Sequence, residues 1–248
     1  MKQLKYFVLI IQIISISLFV TNMKAQQLPT QSNGLSEKDK STIAISSFTA
    51  QGKLQELKGS LNSGLDAGLT INEIKEILVQ TYAYCGFPRS IRGLQTFMEV
   101  LDERKVKGIK DVVGKEASTI ENNKSKYERG KEILGELTQT KQPDKLSGYS
   151  AFATAIDTFL KEHLFADIFE RDVLTYAQRE LVTISVISAI GDAEPMLQSH
   201  LGISLKVGWK PEQLTEFVSV VSSTINKEKS SAVKTVLNEV LKNNPNPK

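Results

Sequence analysis

From residue 35 almost to the C-terminus, apolar residues recur three and four positions apart between Lys, Glu, Asn and Gln. This spacing places apolar side chains on one face of a helix. Alternating Val/Ile/Thr-rich runs bounded by turn residues, which are typical of strands, do not occur in this sequence. The pattern predicts an all-α protein.

The helical pattern occurs twice along the chain. Gly52 aligns with Gly191 at an offset of 139 residues, and Gly68 aligns with Gly208 at an offset of 140. Glycine is favoured where a helix ends in a left-handed residue, so each glycine predicts the end of a helix. The sequence therefore predicts two copies of one unit, each with three helices joined by tight glycine turns.

The repeats divide the chain into six predicted parts. They are a leader (1–25), a linker (26–34), a first repeat (35–104), a helical connector (105–148), a second repeat (149–242) and a tail (243–248).

The leader has the three parts of a secretory signal: a basic start, an apolar run over residues 6–20, and a small residue, Ala25, before a polar stretch. A bilayer span needs roughly 20 apolar residues, and this run is shorter. We expect cleavage after Ala25, export to the periplasm or the medium, and no stable membrane insertion afterwards. An uncleaved membrane anchor is the alternative.

Net charge argues against a polyanionic partner. The chain has 31 Lys and Arg against 28 Asp and Glu, a formal charge of +3, and all three excess bases are lysines of the leader. The remaining chain is formally neutral, with its bases and acids interspersed. Because nucleic-acid affinity comes from clustered, uncompensated Lys and Arg, we expect no nucleic-acid binding.

Two histidines, His163 and His200, are the side chains that can exchange protons near neutral pH without a large pKa shift. Glu180 precedes the turn at Gly191 by eleven residues and His200 follows it by nine, so both lie roughly 13 to 16 Å from that turn on antiparallel helices. A carboxylate beside an imidazole can hold a proton donor ready. Alternatively, Glu180 pairs with a nearby base such as Arg179, and His200 is a packing residue.

The second copy resembles the carboxymuconolactone decarboxylase and alkylhydroperoxidase D family in an ordered set of motifs. These are Arg179-Glu180-Leu181-Val182-Thr183-Ile184, small residues up to Gly191, His200, and Gly208 followed by Pro211-Glu212. Two further segments resemble the end of the family's third helix and the start of a decarboxylase unit, namely Thr81-Tyr82-Ala83-Tyr84-Cys85-Gly86-Phe87-Pro88 and Tyr127-Glu128-Arg129-Gly130-Lys131. The resemblance covers nearly all of residues 35–241 as a two-copy tandem member.

The resemblance implies an all-helical fold, a homo-oligomer, and a small-molecule substrate bound between helices without cofactor or metal. It assigns the proton relay to Glu180 and His200. Substrate contacts are expected from Arg179, His163 and Ser199, although Arg179 could instead face solvent and His163 could instead lie at the bundle surface. The equivalent relay positions of the first copy hold serines, so that copy is expected to be structural or to help form a shared pocket.

The cysteine content separates the two branches of the family. The hydroperoxidase branch carries a Cys-x-x-Cys motif between its Glu and His, whereas residues 192–197 contain no cysteine here. The single cysteine, Cys85, excludes a disulfide framework and a cysteine-built metal site, and is expected in the core. Peroxidase activity through Cys85 with an external reductant, and a non-catalytic ligand-binding module, remain the alternatives to decarboxylase-like chemistry.

The export prediction can be tested by expressing the full chain in a Gram-negative host and measuring the N-terminus and intact mass of the periplasmic product. Because the leader has the features of a signal-peptidase substrate, we expect the mature chain to begin at Gln26. A full-length product in the membrane fraction would contradict the prediction and favour the anchor.

Overall fold

The computed structural model describes residues 34–121 and 123–244, and within them every regular element is a helix. The elements are α1 (Glu37–Gln51), α2 (Leu54–Asp66), α3 (Ile71–Val106), α4 (Lys126–Thr138), α5 (Gly148–Phe152), α6 (Thr154–Phe159), a π-helix (Leu160–Phe169), α7 (Tyr176–Ile190), α8 (Glu194–Lys206), α9 (Pro211–Thr224) and α10 (Lys227–Asn243). The all-α prediction is confirmed. The predicted signal (1–25), most of the linker and the end of the tail lie outside the described residues.

Side-chain caps fix where several helices begin. Four helices begin with a reciprocal capping box. In this motif the side chain of the cap residue accepts the backbone N–H of the third helical residue, and the side chain of that residue accepts the backbone N–H of the cap. The cap residues are Ser36, Thr70, Ser125 and Thr175. A cap of this kind stabilises a helix by about 1 kcal/mol. At the start of α9, Pro211 takes the first helical position, where its missing N–H leaves no bond unmade.

The duplication is visible in the helix boundaries. A shift of 139 residues carries α1 onto α7, and a shift of 140 carries α2 onto α8 and the start of α3 onto that of α9. All four turn glycines have positive φ angles, in agreement with their predicted place at helix ends. They are Gly52, Gly68, Gly191 and Gly208.

Each copy contains a fourth helix that the sequence pattern did not predict. In the first copy, Gly86 (φ 82°, ψ 158°) breaks α3 into two segments, and its counterpart Asn226 caps the separate helix α10. The hydroxyl of Ser90 donates to the Leu78 carbonyl across this break, at 2.7 Å. In the second copy, 140 residues later, Ser230 donates in the same way to Val218 at 2.9 Å.

The core is built around α7, which is buried without interruption from Arg179 to Ala189. One side of α7 faces α8, α9 and α10 of its own copy through Leu181 and Ile184. Another side contributes Val182 and Val186 to the apolar cluster of the first copy. A helix buried all round is a central helix, and α1 packs along it.

Ion pairs cross between the copies in both directions. On α3, Glu76 accepts hydrogen bonds from Arg179 on α7 at 3.0 Å and from Arg171 at 2.6 Å. On α9, Glu216 pairs with Lys40 on α1 at 3.2 Å. The shifts that relate the copies carry Lys40 onto Arg179 and Glu76 onto Glu216, so the two pairs are equivalent.

The predicted helical connector is helical only in part. Residues 107–121 form no regular helix beyond the end of α3 and instead cover the start of that helix, where the carbonyls of Val112 and Val113 accept the N–H groups of Ile71 and Asn72, both at 2.9 Å. These N–H groups have no partner within their own helix, so the segment satisfies them.

Helix α4 packs against the π-helix of the second copy rather than standing apart as a connector. The contact is so close that a Cβ at Gly130 would lie 1.7 Å from the carbonyl oxygen of Lys161. Within the described ranges, none of the helices combines the length and the apolar character that crossing a bilayer requires.

The equivalent ion pairs differ in burial, which allows a matched test. Burial acts to raise the pKa of Glu76, but hydrogen bonds from Arg171 and Arg179 outweigh it and hold that pKa below its usual value. Replacing Glu76 by Gln leaves the buried Arg179 without a countercharge, and we expect a loss of about 3–5 kcal/mol in the free energy of unfolding by urea.

The control is Glu216→Gln, whose pair with Lys40 is partly exposed, so we expect a much smaller loss. Because the pKa of Glu76 is lowered on folding, its stabilisation is present above the ordinary glutamate pKa and disappears as the pH falls through the lowered value. Equal losses in the two variants would contradict the structural role of the buried pair.

Candidate functional site

Glu180 and His200 lie side by side on the antiparallel helices α7 and α8. The Nδ1 atom of His200 is 2.8 Å from Oε2 of Glu180. The Glu180 side chain is fully buried, and 16 % of the His200 side chain is exposed. Of the two alternatives that the residue count around Gly191 left open, the structure has the carboxylate beside the imidazole.

The carboxylate of Glu180 is only partly satisfied. Its second oxygen, Oε1, is buried and has no hydrogen-bond partner among the described residues. An unpaired buried polar atom costs free energy, and Nε of the neighbouring Arg179 is left in the same state. With Nδ1 of His200 held by Glu180, Nε2 is the ring nitrogen left for a ligand.

His200 opens into a cavity of about 950 Å³. Five regions of the chain form its wall: the middle of α3 with Tyr84, α4 with Leu134, the stretch from residue 142 through α5 and α6 into the π-helix, the end of α7 with Ile187, and α8 with His200 and Ser199. The first copy therefore supplies part of the wall of a site whose acid/base pair lies in the second.

Tyr84 faces the His200 ring from the first copy. Its ring meets the His200 ring edge-on, with centroids 6.3 Å apart. Its hydroxyl accepts a hydrogen bond from Thr183 at 3.0 Å. Burial raises the pKa of Tyr84, which keeps the phenol protonated at neutral pH. Tyr84 belongs to the segment 81–88 that resembles the end of the family's third helix, and this resemblance could have marked it as a site residue. The sequence analysis assigned it no role.

Arg179 does not lie where the sequence analysis expected it. It is fully buried and bonded to Glu76, to Gln80 Oε1 at 3.1 Å and to the Arg171 carbonyl at 2.7 Å, and it does not line the cavity. Neither substrate binding nor solvent exposure is compatible with this position. The expected substrate contact is wrong because a buried guanidinium needs its own countercharge, which Glu76 provides.

The other two expected substrate residues do line the cavity. His163 is half-exposed, its Nδ1 lies 3.0 Å from Asp167, and its ring meets Tyr82 edge-on at 5.5 Å. Ser199 is beside His200, and its hydroxyl donates to the Pro195 carbonyl at 3.0 Å. Their contact with a substrate stays a prediction.

Cys85 is partly buried, in apolar surroundings. Its thiol lies 3.0 Å from the Thr81 carbonyl, and it packs against the apolar cluster of the first copy. Burial raises the pKa of the thiol although the hydrogen bond to Thr81 acts in the opposite direction. Since the thiolate is the reactive species, these surroundings disfavour nucleophilic chemistry at Cys85.

A buried ionic cluster in the cavity wall was missed by the sequence analysis. The ammonium of Lys161 contacts Asp157 at 2.6 Å and the Tyr127 hydroxyl at 3.1 Å, and that hydroxyl donates to Asp157 at 2.7 Å. Asp157 and Lys161 are four positions apart across the start of the π-helix, a spacing at which opposite charges pair. The sequence could have indicated this ion pair through that spacing. The cluster fastens the α6 wall to α4.

The first copy lacks a comparable pair. Ser41 and Ser60 occupy the positions equivalent to Glu180 and His200, and the Ser60 hydroxyl donates to the Glu56 carbonyl of its own helix at 3.0 Å. In the part of the chain that the structure describes, no group of three or more His, Cys, Asp or Glu side chains could hold a metal ion.

The two copies match a known protein family. The sequence profile of the carboxymuconolactone decarboxylase family matches residues 19–97 and 155–239, which together cover well over half of the chain and correspond to the two copies. A search of curated proteins gives no match. The duplicated all-helical fold and the family profile together show that the chain belongs to the carboxymuconolactone decarboxylase family.

Proposed function

We propose that the protein is a cofactor-free acid/base enzyme that acts on a small carboxylated or lactone substrate through His200 and Glu180. The observation that carries the proposal is the hydrogen bond of 2.8 Å between a fully buried carboxylate and an imidazole that opens into a cavity. Membership of the family supports decarboxylation as the reaction.

Each residue has a defined task in such a reaction. As the bond between the substrate carbon and its carboxylate breaks, CO₂ leaves and the electron pair stays behind as an enolate. His200 donates a proton from Nε2 to the enolate carbon, and its ring then regains a proton from solvent. Glu180 holds the ring orientation through Nδ1 and stabilises the cationic imidazolium before transfer.

Tyr84 assists by closing the cavity behind His200. Its protonated phenol lies beside the imidazole without adding a negative charge. Apolar surroundings favour loss of a carboxylate, because CO₂ is neutral and the charge is delocalised in the transition state.

The relay can be tested with unsaturated lactone acids, beginning with carboxymuconolactone, by following CO₂ release and product mass. We expect His200→Gln to lower kcat by about 10²- to 10⁴-fold, the usual contribution of a general acid. Glutamine can still donate to Glu180, so the fold should be preserved. We expect Glu180→Gln to lower kcat less, because the imidazole remains.

The matched control is Ser60→Ala, which changes the equivalent position of the first copy and should leave kcat unchanged. Full turnover by His200→Gln would show that the relay is not the catalytic group. A ligand-induced rise in melting temperature, with no product from any acid in the panel, would instead favour a binding module.

The thiol environment gives a second test. Because burial raises the pKa of Cys85, we expect iodoacetamide at pH 7.5 to alkylate it more slowly than N-acetylcysteine. Cys85→Ser should leave lactone turnover and any peroxide consumption unchanged. Rapid alkylation, or peroxide consumption that depends on Cys85, would favour the hydroperoxidase alternative.

A further inference from the structure

We propose that the substrate of this site is a carboxylic acid or lactone with a large apolar body, whose reacting end lies at His200 and whose body reaches the cavity rim at Phe159. The inference rests on the proposed function for the position of the reacting end.

The cavity is larger than a compact lactone acid requires. At about 950 Å³ it lies at the upper end of the range that encloses drug-sized ligands. A compact lactone acid in contact with His200 would leave most of this volume to water. Water against an apolar wall is unfavourable, so the space favours a longer occupant.

The wall of the cavity is mainly apolar. Apolar and aromatic side chains from α3, α6, the π-helix and α7 face the cavity, among them Tyr84, Phe87, Phe159, Leu160, Ile187 and Ile190. The buried charges in the wall, Asp157 and Lys161, are paired with each other and with Tyr127. The wall therefore offers apolar contact rather than an unpaired buried charge.

Aromatic side chains at the cavity rim are exposed. The side chains of Phe87 and Phe159 both line the cavity, yet 61 % and 63 % of their surfaces are exposed. Phe87 stacks on Tyr82, with ring centroids 4.6 Å apart and planes at 11°. Aromatic surface that stays exposed around an apolar opening marks a binding site, and here it is continuous with the wall that leads to His200.

The wall near Phe159 has little packing of its own. Helix α5 buries no residue, and α6 buries only Asp157. The aromatic side chains of this wall, including Tyr149, are therefore largely exposed when the cavity holds no ligand. An apolar body in the cavity would cover them.

The experiment measures displacement of the neutral fluorophore N-phenyl-1-naphthylamine from the full mature chain by butanoic, octanoic and dodecanoic acid, all below micelle formation. Burial of each methylene tightens binding about threefold to fourfold, so we expect dodecanoate to bind about 100-fold more tightly than octanoate. Equal affinities for the three acids would overturn the proposal.

Variants locate the binding site. We expect Phe159→Ser and Phe87→Ser each to weaken dodecanoate binding by about tenfold. Met98→Ser is the matched control, because Met98 is also exposed on α3 but does not line the cavity. Equal effects of Met98→Ser and Phe159→Ser would overturn the proposal.

Two further readouts separate the possible failures. If Phe87→Ser and Phe159→Ser dissociate an oligomer in sedimentation while dodecanoate affinity is unchanged, the rim is an interface between copies and the proposal is wrong. We expect the dependence on chain length to persist in His200→Gln. If His200→Gln keeps both the chain-length dependence and full turnover, the proposed function is wrong and the proposed substrate class still stands.

Discussion

Two adjacent buried charges on α7 constrain the rest of the structure. Arg179 and Glu180 are both fully buried, and an unpaired buried charge costs several kcal/mol. Neighbours on a helix point about 100° apart, so their partners must come from different directions. Glu76 meets the arginine from the first copy, and His200 meets the glutamate from the second. These contacts fix the rotation of the central helix and join the two copies through it.

The same positions in the first copy carry a weaker constraint. Lys40 and Ser41 replace the arginine and the glutamate, and the lysine pairs with Glu216 at a partly exposed position. Without a buried acid there, α1 packs closely along α7, and small side chains of α1 such as Ser46 are completely buried. The duplication has thus kept its fold on both sides while placing one acid/base pair in the second copy.

Local features of this molecule could be predicted from the sequence, and features that depend on contacts between distant segments could not. Counting residues on either side of one turn already places Glu180 and His200 at similar heights on neighbouring helices, where a hydrogen bond is possible. The place of Arg179 does not, because Glu76 is 103 positions away and the contact exists only once the copies pack. The fourth helix was missed because Gly86 and Pro88 are also typical of a helix end. The cavity wall requires several segments that are far apart in the sequence, so periodicity alone could not identify it.

The break at Gly86 has a consequence for how this duplicated chain can evolve. It lies two residues after Tyr84 and redirects the chain so that the first segment of α3 ends beside the histidine of the other copy. A chain cut between the copies would leave the second half with its acid and base but without the tyrosine that faces them. The two copies are therefore not interchangeable, and loss of the first copy would remove the part of the cavity wall that α3 supplies.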